Sequence, residues 1–294
     1  MVGPPGCGKS MLARRFPSIL PPLVENEMLE VIKIHSIASQ NVEPFLAGLR
    51  PFRSPHYNIS MAGLVGGGVN LRPGEISLAH HGILFLDEFP EFQRGAIEAL
   101  RVPLEYGFVD ISRAKGSQRF PARFQLIAAM NPCPCGRLGI EGAHCTCSPA
   151  FLQTYMKKLS QPILDRIDMH IEVRRIPFDV IKQNSSTDCG TISLTLKSKV
   201  ISTRKIQLAR SKMLNAHISS RSALRLLNES PSKVQHLLES VQKKLGLSAR
   251  GIIRSIKVAR TIADLETSEH IQEHHLAEAL GYRYLERMER FYSR

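Results

Sequence analysis

The sequence predicts an α/β chain: a core built on a parallel sheet flanked by helices, followed by a wholly α-helical domain. Three observations carry this. The chain opens on a glycine-rich loop ending in Lys9-Ser10, and an apolar run at 83–86 stops on two carboxylates. From about Leu194 the hydrophobic pattern is helical throughout. The expected division is a core over residues 1–176, a polar linker over 177–193 and a helical domain over 194–294.

Gly3-Pro4-Pro5-Gly6-Cys7-Gly8-Lys9-Ser10 is a complete G-x-x-x-x-G-K-S pattern. Its glycines let backbone N–H groups close around the β- and γ-phosphates of a nucleotide such as ATP. Lys9 adds a positive charge, and the Ser10 hydroxyl is placed to ligate Mg²⁺ at a helix N-terminus. The competing reading is a plain turn ahead of a helix starting at Met11. Such a loop normally hangs from a buried parallel strand, and only Met1-Val2 precedes it here. The chain is therefore expected to be N-terminally truncated, with its first strand missing.

Strand candidates follow at Gly82–Leu86, Phe124–Met130 and Met169–Val173. The first ends on Asp87-Glu88. A buried apolar strand cannot take two carboxylates inside without partners, so both should emerge at its C-terminal edge, where open parallel sheets bind ligands. Asp87 would hold Mg²⁺ and Glu88 would polarise an attacking water; alone, the pattern is also a strand meeting an acidic loop. The second strand ends near Asn131, whose amide suits the lytic water or the γ-phosphate, or else is a turn residue before Pro132. In Leu164-Asp165-Arg166-Ile167-Asp168, Arg166 is either a salt-bridged surface residue or an arginine finger for a neighbouring subunit's nucleotide.

Pro177 opens a Ser/Thr-rich stretch that reads as linker. Beyond it, Ile252, Ile256, Ala259 and Ala263 share one helical face, while Arg250, Arg254 and Lys257 recur on another. The formal charge is +13 and unevenly spread: residues 1–194 hold 20 Lys/Arg against 17 Asp/Glu, residues 195–294 hold 19 against 9. A basic C-terminal third fits a polyanionic partner such as DNA, or a solvated helical surface. No run of 18 apolar residues exists, so no membrane span is expected, and no leader precedes the loop, which points to the cytoplasm.

Six cysteines in such a chain favour metal ligation over disulfides. Cys133-x-Cys135 and Cys145-x-Cys147 offer four thiolates in a Gly/Pro-rich excursion, suited to tetrahedral Zn²⁺ with His144 as a spare donor. The spacing is tighter than the usual C-x₂-C, and a reduced cysteine-bearing loop is the alternative. Cys7 and Cys189 ask for no role. His270 and His274 are helically spaced but lack the acid of an H-E-x-x-H pattern, and read as surface histidines.

In this order, the elements resemble the AAA+ ATPases, in the branch of magnesium-chelatase I subunits and MCM helicases. They are most similar to the magnesium-chelatase-like ComM/YifB family. The resemblance rests on Arg50-Pro51-Phe52-Arg53-Ser54-Pro55-His56, Gly66-Gly67-Gly68, Pro73-Gly74-Glu75-Ile76-Ser77-Leu78-Ala79-His80 and Asn131-Pro132-Cys133-Pro134-Cys135-Gly136. Leu247-Ser248-Ala249-Arg250-Gly251 and Val258–Leu265 complete it. It implies that Asp87 and Glu88 are Walker B, Asn131 sensor 1, Arg166 the arginine finger and Arg250 sensor 2, with the C-terminal domain a helical lid. It also implies a ring oligomer, a hexamer, that hydrolyses ATP and translocates on DNA to drive branch migration. Ser60–Ile76 becomes the helix-2 insert. Val109–Ala122 becomes the pre-sensor-1 hairpin, with Arg113, Lys115 and Arg119 near a phosphate backbone. Family members carry a Lon-like N-terminal domain ahead of the feeding strand. The alternatives are a chelatase-type ATPase remodelling a protein partner, and an inactive fragment.

Overall fold

The apolar run ahead of Asp87 is a strand, and it lies in the middle of a sheet. The structure, a computed structural model, describes residues 1–68, 71–113, 116–140, 142, 144–176 and 189–283. The chain divides into two units, Met1–Ile163 with Val173–Gln183, and Leu164–Glu172 with Asn184–Arg294.

In the first unit, β1 (Phe52–Arg53), β4 (Ile83–Leu86) and β7 (Gln125–Ala128) form a parallel sheet in the order β1-β4-β7. Parallel strands covered on both faces need continuous apolar runs, and all four β4 side chains are buried. Ile83 and Phe85 pack with Ala13, Ile127 and Ala129 on one face. Phe52 stacks on Phe85 with ring centroids 6.2 Å apart. Each such side chain contributes roughly 1.5–3 kcal/mol on burial. Beside β7, Val2 makes a parallel bridge to Met130, and the amides of Met130 and Gly3 donate to Met1 O and Met130 O. Met1–Gly3 thus runs alongside Met130 directly into the loop.

Two hairpins interrupt the unit. β2 (Gly66–Gly67) pairs with β3 (Arg72–Pro73), after the short helix Met61–Val65 that Ser60 caps. β5 (Phe108–Arg113) pairs with β6 (Gly116–Pro121) in an antiparallel ladder that realises the hairpin expected over Val109–Ala122. Motif residues turn out to brace this scaffold. Arg53 grips Glu75 with two 2.6 Å contacts, tying β1 to helix Glu75–Leu78. Arg50 donates to Pro21 O and His81 O and pairs with Glu27.

The second unit is helical around Ala249–Leu265, which Ser248 caps by accepting from Gly251 N. Its expected apolar face is real: Ile256, Ala259 and Ala263 are fully buried. Ile256 and Ala259 join Leu227, Val234 and Leu238 from helices Ser220–Asn228 and Ser232–Leu245, and Leu276 from Glu273–Gly281. Two expectations need correction. Residues 177–188 of the expected linker lie outside the described residues, but 189–193 are the first turns of helix Cys189–Ser211. Met169–Val173 is not a strand. Its His170 makes an isolated bridge to Arg283, and the Arg283 guanidinium donates to Ile167 O at 2.7 Å, so Met169–Glu172 belong to the helical unit; Val173 belongs to the first unit, where its N–H donates to Val2 O at 2.7 Å.

A buried ionic cluster locks those helices. Asp264, 1% exposed, accepts from Arg210, Asn215 and Arg260, and Arg260 also donates to Ser268 O and Glu269 O. Burial alone would raise the Asp264 pKa, yet hydrogen bonds from Arg210 and Asn215 and the charge of Arg260 bring it below its ordinary value. A depressed carboxylate contributes stability present above the unfolded-state pKa of about 4 and lost as pH falls through the folded one. Asp264→Ala takes the shared carboxylate from the Arg210 and Arg260 guanidiniums and should lower stability by about 3–5 kcal/mol at neutral pH. Asp264→Asn should flatten the acid limb of a melting-point-against-pH curve, and an unchanged limb would refute this account.

Candidate functional site

The phosphate loop is shaped by backbone and closed by its own lysine. Gly8 sits at φ 88 ahead of helix Lys9–Arg15, a left-handed conformation that side chains resist. Lys9 is only 8% exposed. A buried ammonium needs acceptors for its three protons. Nζ finds Gly3 O at 2.7 Å, Pro4 O at 2.8 Å and Asn131 Oδ1 at 3.2 Å. Next to it, Ser10 Oγ donates to Asp87 Oδ2 at 2.5 Å, and Asp87 Oδ1 accepts from Glu88 N at 3.0 Å.

Because β4 and β7 are parallel and in register, Asp87 and Asn131 leave the sheet on the same edge. Glu88 is exposed and left-handed at φ 52, a conformation costing roughly 1–3 kcal/mol in a non-glycine residue. The structure therefore gathers Gly3, Pro4, Pro5, Gly6, Cys7, Gly8, Lys9, Ser10, Asp87, Glu88 and Asn131 in the first unit. Paired hard oxygens on Ser10 and Asp87 fit a small divalent cation, and the loop's N–H groups with Lys9 fit phosphate. Arg166, half-buried, and Arg250, exposed in the first turn of Ala249–Leu265, both belong to the second unit.

Tyr155 was not singled out from sequence. Helix Pro149–Lys157 buries Leu152, Tyr155 and Met156, and the phenol donates to Asn131 O at 3.1 Å. The helical spacing betrays the buried face but not the reach of the hydroxyl. Several basic residues expected to face a polyanion are engaged within the chain. Arg119 pairs with Asp110 across the β5–β6 hairpin and lies 3.9 Å over the Phe108 ring. Arg254 binds Asp168, and Lys257 donates to Ala216 O. The side chains of Arg113 and Lys115 lie outside the described residues.

The four cysteines converge. All four sulfurs lie within 4.8 Å of one another, with Cys133–Cys135, Cys135–Cys145 and Cys133–Cys145 at 3.3, 3.6 and 3.8 Å. Tetrahedral zinc with Zn–S near 2.3 Å sets sulfurs about 3.8 Å apart, so the donor set fits. Backbone N–H groups of Arg137 and Thr146 pull the Cys135 pKa down to about 5, while burial pushes Cys133 up to about 12. His144 is exposed.

Two Glu-His-His groups are scaffolding instead. His80 Nδ1 accepts from Arg123 N, which leaves Nε2–H to donate to Glu30. Burial, opposed by Glu30, lowers His80 to about 4, so the ring is neutral at pH 7. His275 caps Gln272 N in the same way and donates to Glu266. His274, read as a surface histidine, is 63% exposed beside the same carboxylate.

Comparison with known proteins shows the family of the chain. Residues 1–181 match the family described as magnesium chelatase, subunit ChlI, and 190–283 match the ChlI C-terminal family. The competence protein ComM of Haemophilus influenzae is 46% identical over 98% of this chain and 55% of its own length. The uncharacterized protein YifB of Salmonella typhimurium is 44% identical over 98% of this chain and 56% of its own. The uncharacterized protein Rv2897c of Mycobacterium tuberculosis is 39% identical over 96% and 56%. The chain thus spans about half the length of these relatives.

Tyr155→Phe removes only the O–H that holds the Asn131 carbonyl. The loss should be about 0.5–1.5 kcal/mol, a fall of roughly 2–4 °C per kcal/mol in the midpoint of a unit this size. A melt identical to the parent would show that the phenol does not hold Asn131.

Proposed function

This chain belongs to the magnesium chelatase subunit ChlI family of AAA+ ATPases, and we propose that it is a motor core that binds and hydrolyses ATP with Mg²⁺. The observation that carries this is the convergence of Lys9, Ser10, Asp87 and Asn131 at one sheet edge. Gly3 to Ser10 cradle the phosphates, with Lys9 leaving its carbonyl acceptors for phosphate oxygens. Ser10 and Asp87 would hold the Mg²⁺, which would supply neutralising positive charge to the phosphates. Glu88, at the exposed tip of the edge, orients and polarises water, and Asn131 fixes that water or the γ-phosphate. Arg166, supplied to the next subunit of a ring, stabilises the developing charge, and Arg250 reads the same nucleotide. Cys133, Cys135, Cys145 and Cys147 hold a structural Zn²⁺.

The work proposed is translocation on DNA in the cytoplasm by a hexameric ring, driving branch migration in recombination. Its supports are the likeness to a competence protein and the excess of basic residues in 195–294. One observation favours a second reading, ATP-driven remodelling of a protein partner as in a chelatase. Arg119, Arg254 and Lys257 are tied to groups of their own chain and offer less charge to phosphate than the sequence count implies.

ATP turnover by the purified chain, with and without DNA, tests both. Glu88→Gln should reduce turnover by on the order of 10²–10⁴ while ATP still binds, whereas Lys9→Ala should lose nucleotide binding. DNA stimulation that falls steeply with salt supports the DNA motor. Turnover indifferent to DNA at every salt concentration would favour the protein-remodelling reading, and turnover surviving Glu88→Gln would refute the assigned catalysis.

A further inference from the structure

The loop that carries the four cysteines grows out of the nucleotide site. Asn131, which contacts Lys9, stands two residues before Cys133. Pro132 and Cys133 are buried, and Leu138 N donates to Cys133 Sγ at 3.3 Å. Immediately after Cys135 comes Gly136, left-handed at φ 73. A β-carbon there would lie 2.6 Å from Cδ of Pro5, in the phosphate loop itself. The same short excursion therefore touches the phosphate loop twice, at Asn131–Lys9 and at Gly136–Pro5.

Between Asn131 and Ser148 the described residues form turns and bends, with no helix or strand to stiffen them. What draws the two arms of the excursion together is the sulfur cluster, whose separations suit one tetrahedral metal ion. Backbone that lacks a ladder is held by side-chain contacts and, most firmly, by a crosslink such as a metal ion.

We propose that the four-cysteine metal site is a strut of the phosphate loop, so that zinc occupancy governs nucleotide affinity. This rests on the zinc assignment above and goes beyond it. Cys133 and Cys135 anchor the arm pressed against Pro5, and Cys145 and Cys147 anchor the returning arm. Gly136 is the positioning residue, because only a residue without a side chain allows the arm to lie on Pro5. With the metal bound, Asn131 and Gly136 are held where the loop needs them. Without it, the arm is free to leave Pro5, and the loop loses one of its walls.

The experiment measures zinc content and the affinity for a fluorescent ATP analogue on the same preparations, with circular dichroism to report the fold. The chain as purified should carry equimolar zinc. Removing it with a thiol-directed mercurial and chelator, followed by reductant, should weaken analogue binding by roughly tenfold to a hundredfold. Added Zn²⁺ should restore it. Gly136→Ala should keep the zinc and the fold yet bind the analogue more weakly.

Zinc-free protein that binds the analogue as tightly as the loaded form overturns the coupling and leaves the zinc site standing. Gly136→Ala with full zinc and parental affinity overturns it as well. A chain that neither contains nor takes up zinc overturns the zinc assignment and this inference together. If metal removal unfolds the chain, Gly136→Ala decides; if that variant fails to fold, removal and restoration of zinc decide.

Discussion

The nucleotide-binding unit depends on the burial of β4. Ile83, Leu84, Phe85 and Leu86 are all at most 2% exposed, and a strand so covered has no freedom to shift register without exposing apolar surface. That constraint places Asp87 at a set height above the sheet. Parallel pairing with β7 in the register Leu86↔Ala128 then places the end of β7, and Asn131 beyond it, on the same edge. The Val2 bridge to Met130 brings the start of the phosphate loop to that edge too. The chemistry-bearing residues meet because three backbone segments end together, and their mutual hydrogen bonds follow from that arrangement.

Lys9 shows why such a loop suits an anion. An ammonium 8% exposed with three oxygen acceptors is satisfied by the loop itself. Two of those acceptors, Gly3 O and Pro4 O, are neutral carbonyls, so a phosphate oxygen is a stronger partner for the same protons. Ser10 and Asp87 stand in the same relation to a cation: their 2.5 Å hydrogen bond holds two oxygen donors side by side. The same contacts set one positive charge and one pair of hard oxygens side by side at the sheet edge.

Much of this was legible in the sequence, and the failures have specific causes. The β4 run and the Ile252–Ala263 face are local patterns of one period, which tertiary context reinforces. Met169–Val173 looks like a strand by composition, but the partner of His170 is Arg283, far along the chain and in no sheet. Residues 189–193 look like linker because Ser and Thr weaken helices, yet Cys189–Ser211 extends through them. Arg119 was counted as a cation for DNA because a charge count ignores cross-strand geometry. The hairpin register puts Asp110 directly opposite it. The ligand-type residues of the site were readable because each is a short motif. Tyr155 was not, since its role depends on a hydroxyl reaching a carbonyl across the fold.

Packing within the second unit also sets the placement of the two arginines proposed to act on nucleotide. Asp168, two residues after Arg166, is bound by Arg254, which lies one helical turn after Arg250. Arg283 fixes the intervening backbone by donating to Ile167 O, and His170 N donates to Tyr282 O at 2.6 Å. Arg166 and Arg250 are therefore mounted on one packed body, although more than half of that body's sequence separates them. Breaking the Arg254–Asp168 pair would disturb both positions through a single contact, because each arginine sits within one turn or two residues of it. The short acidic-basic run Leu164–Asp168, which reads in sequence as one isolated arginine between acids, is in the fold the socket that couples that arginine to the helix Ala249–Leu265.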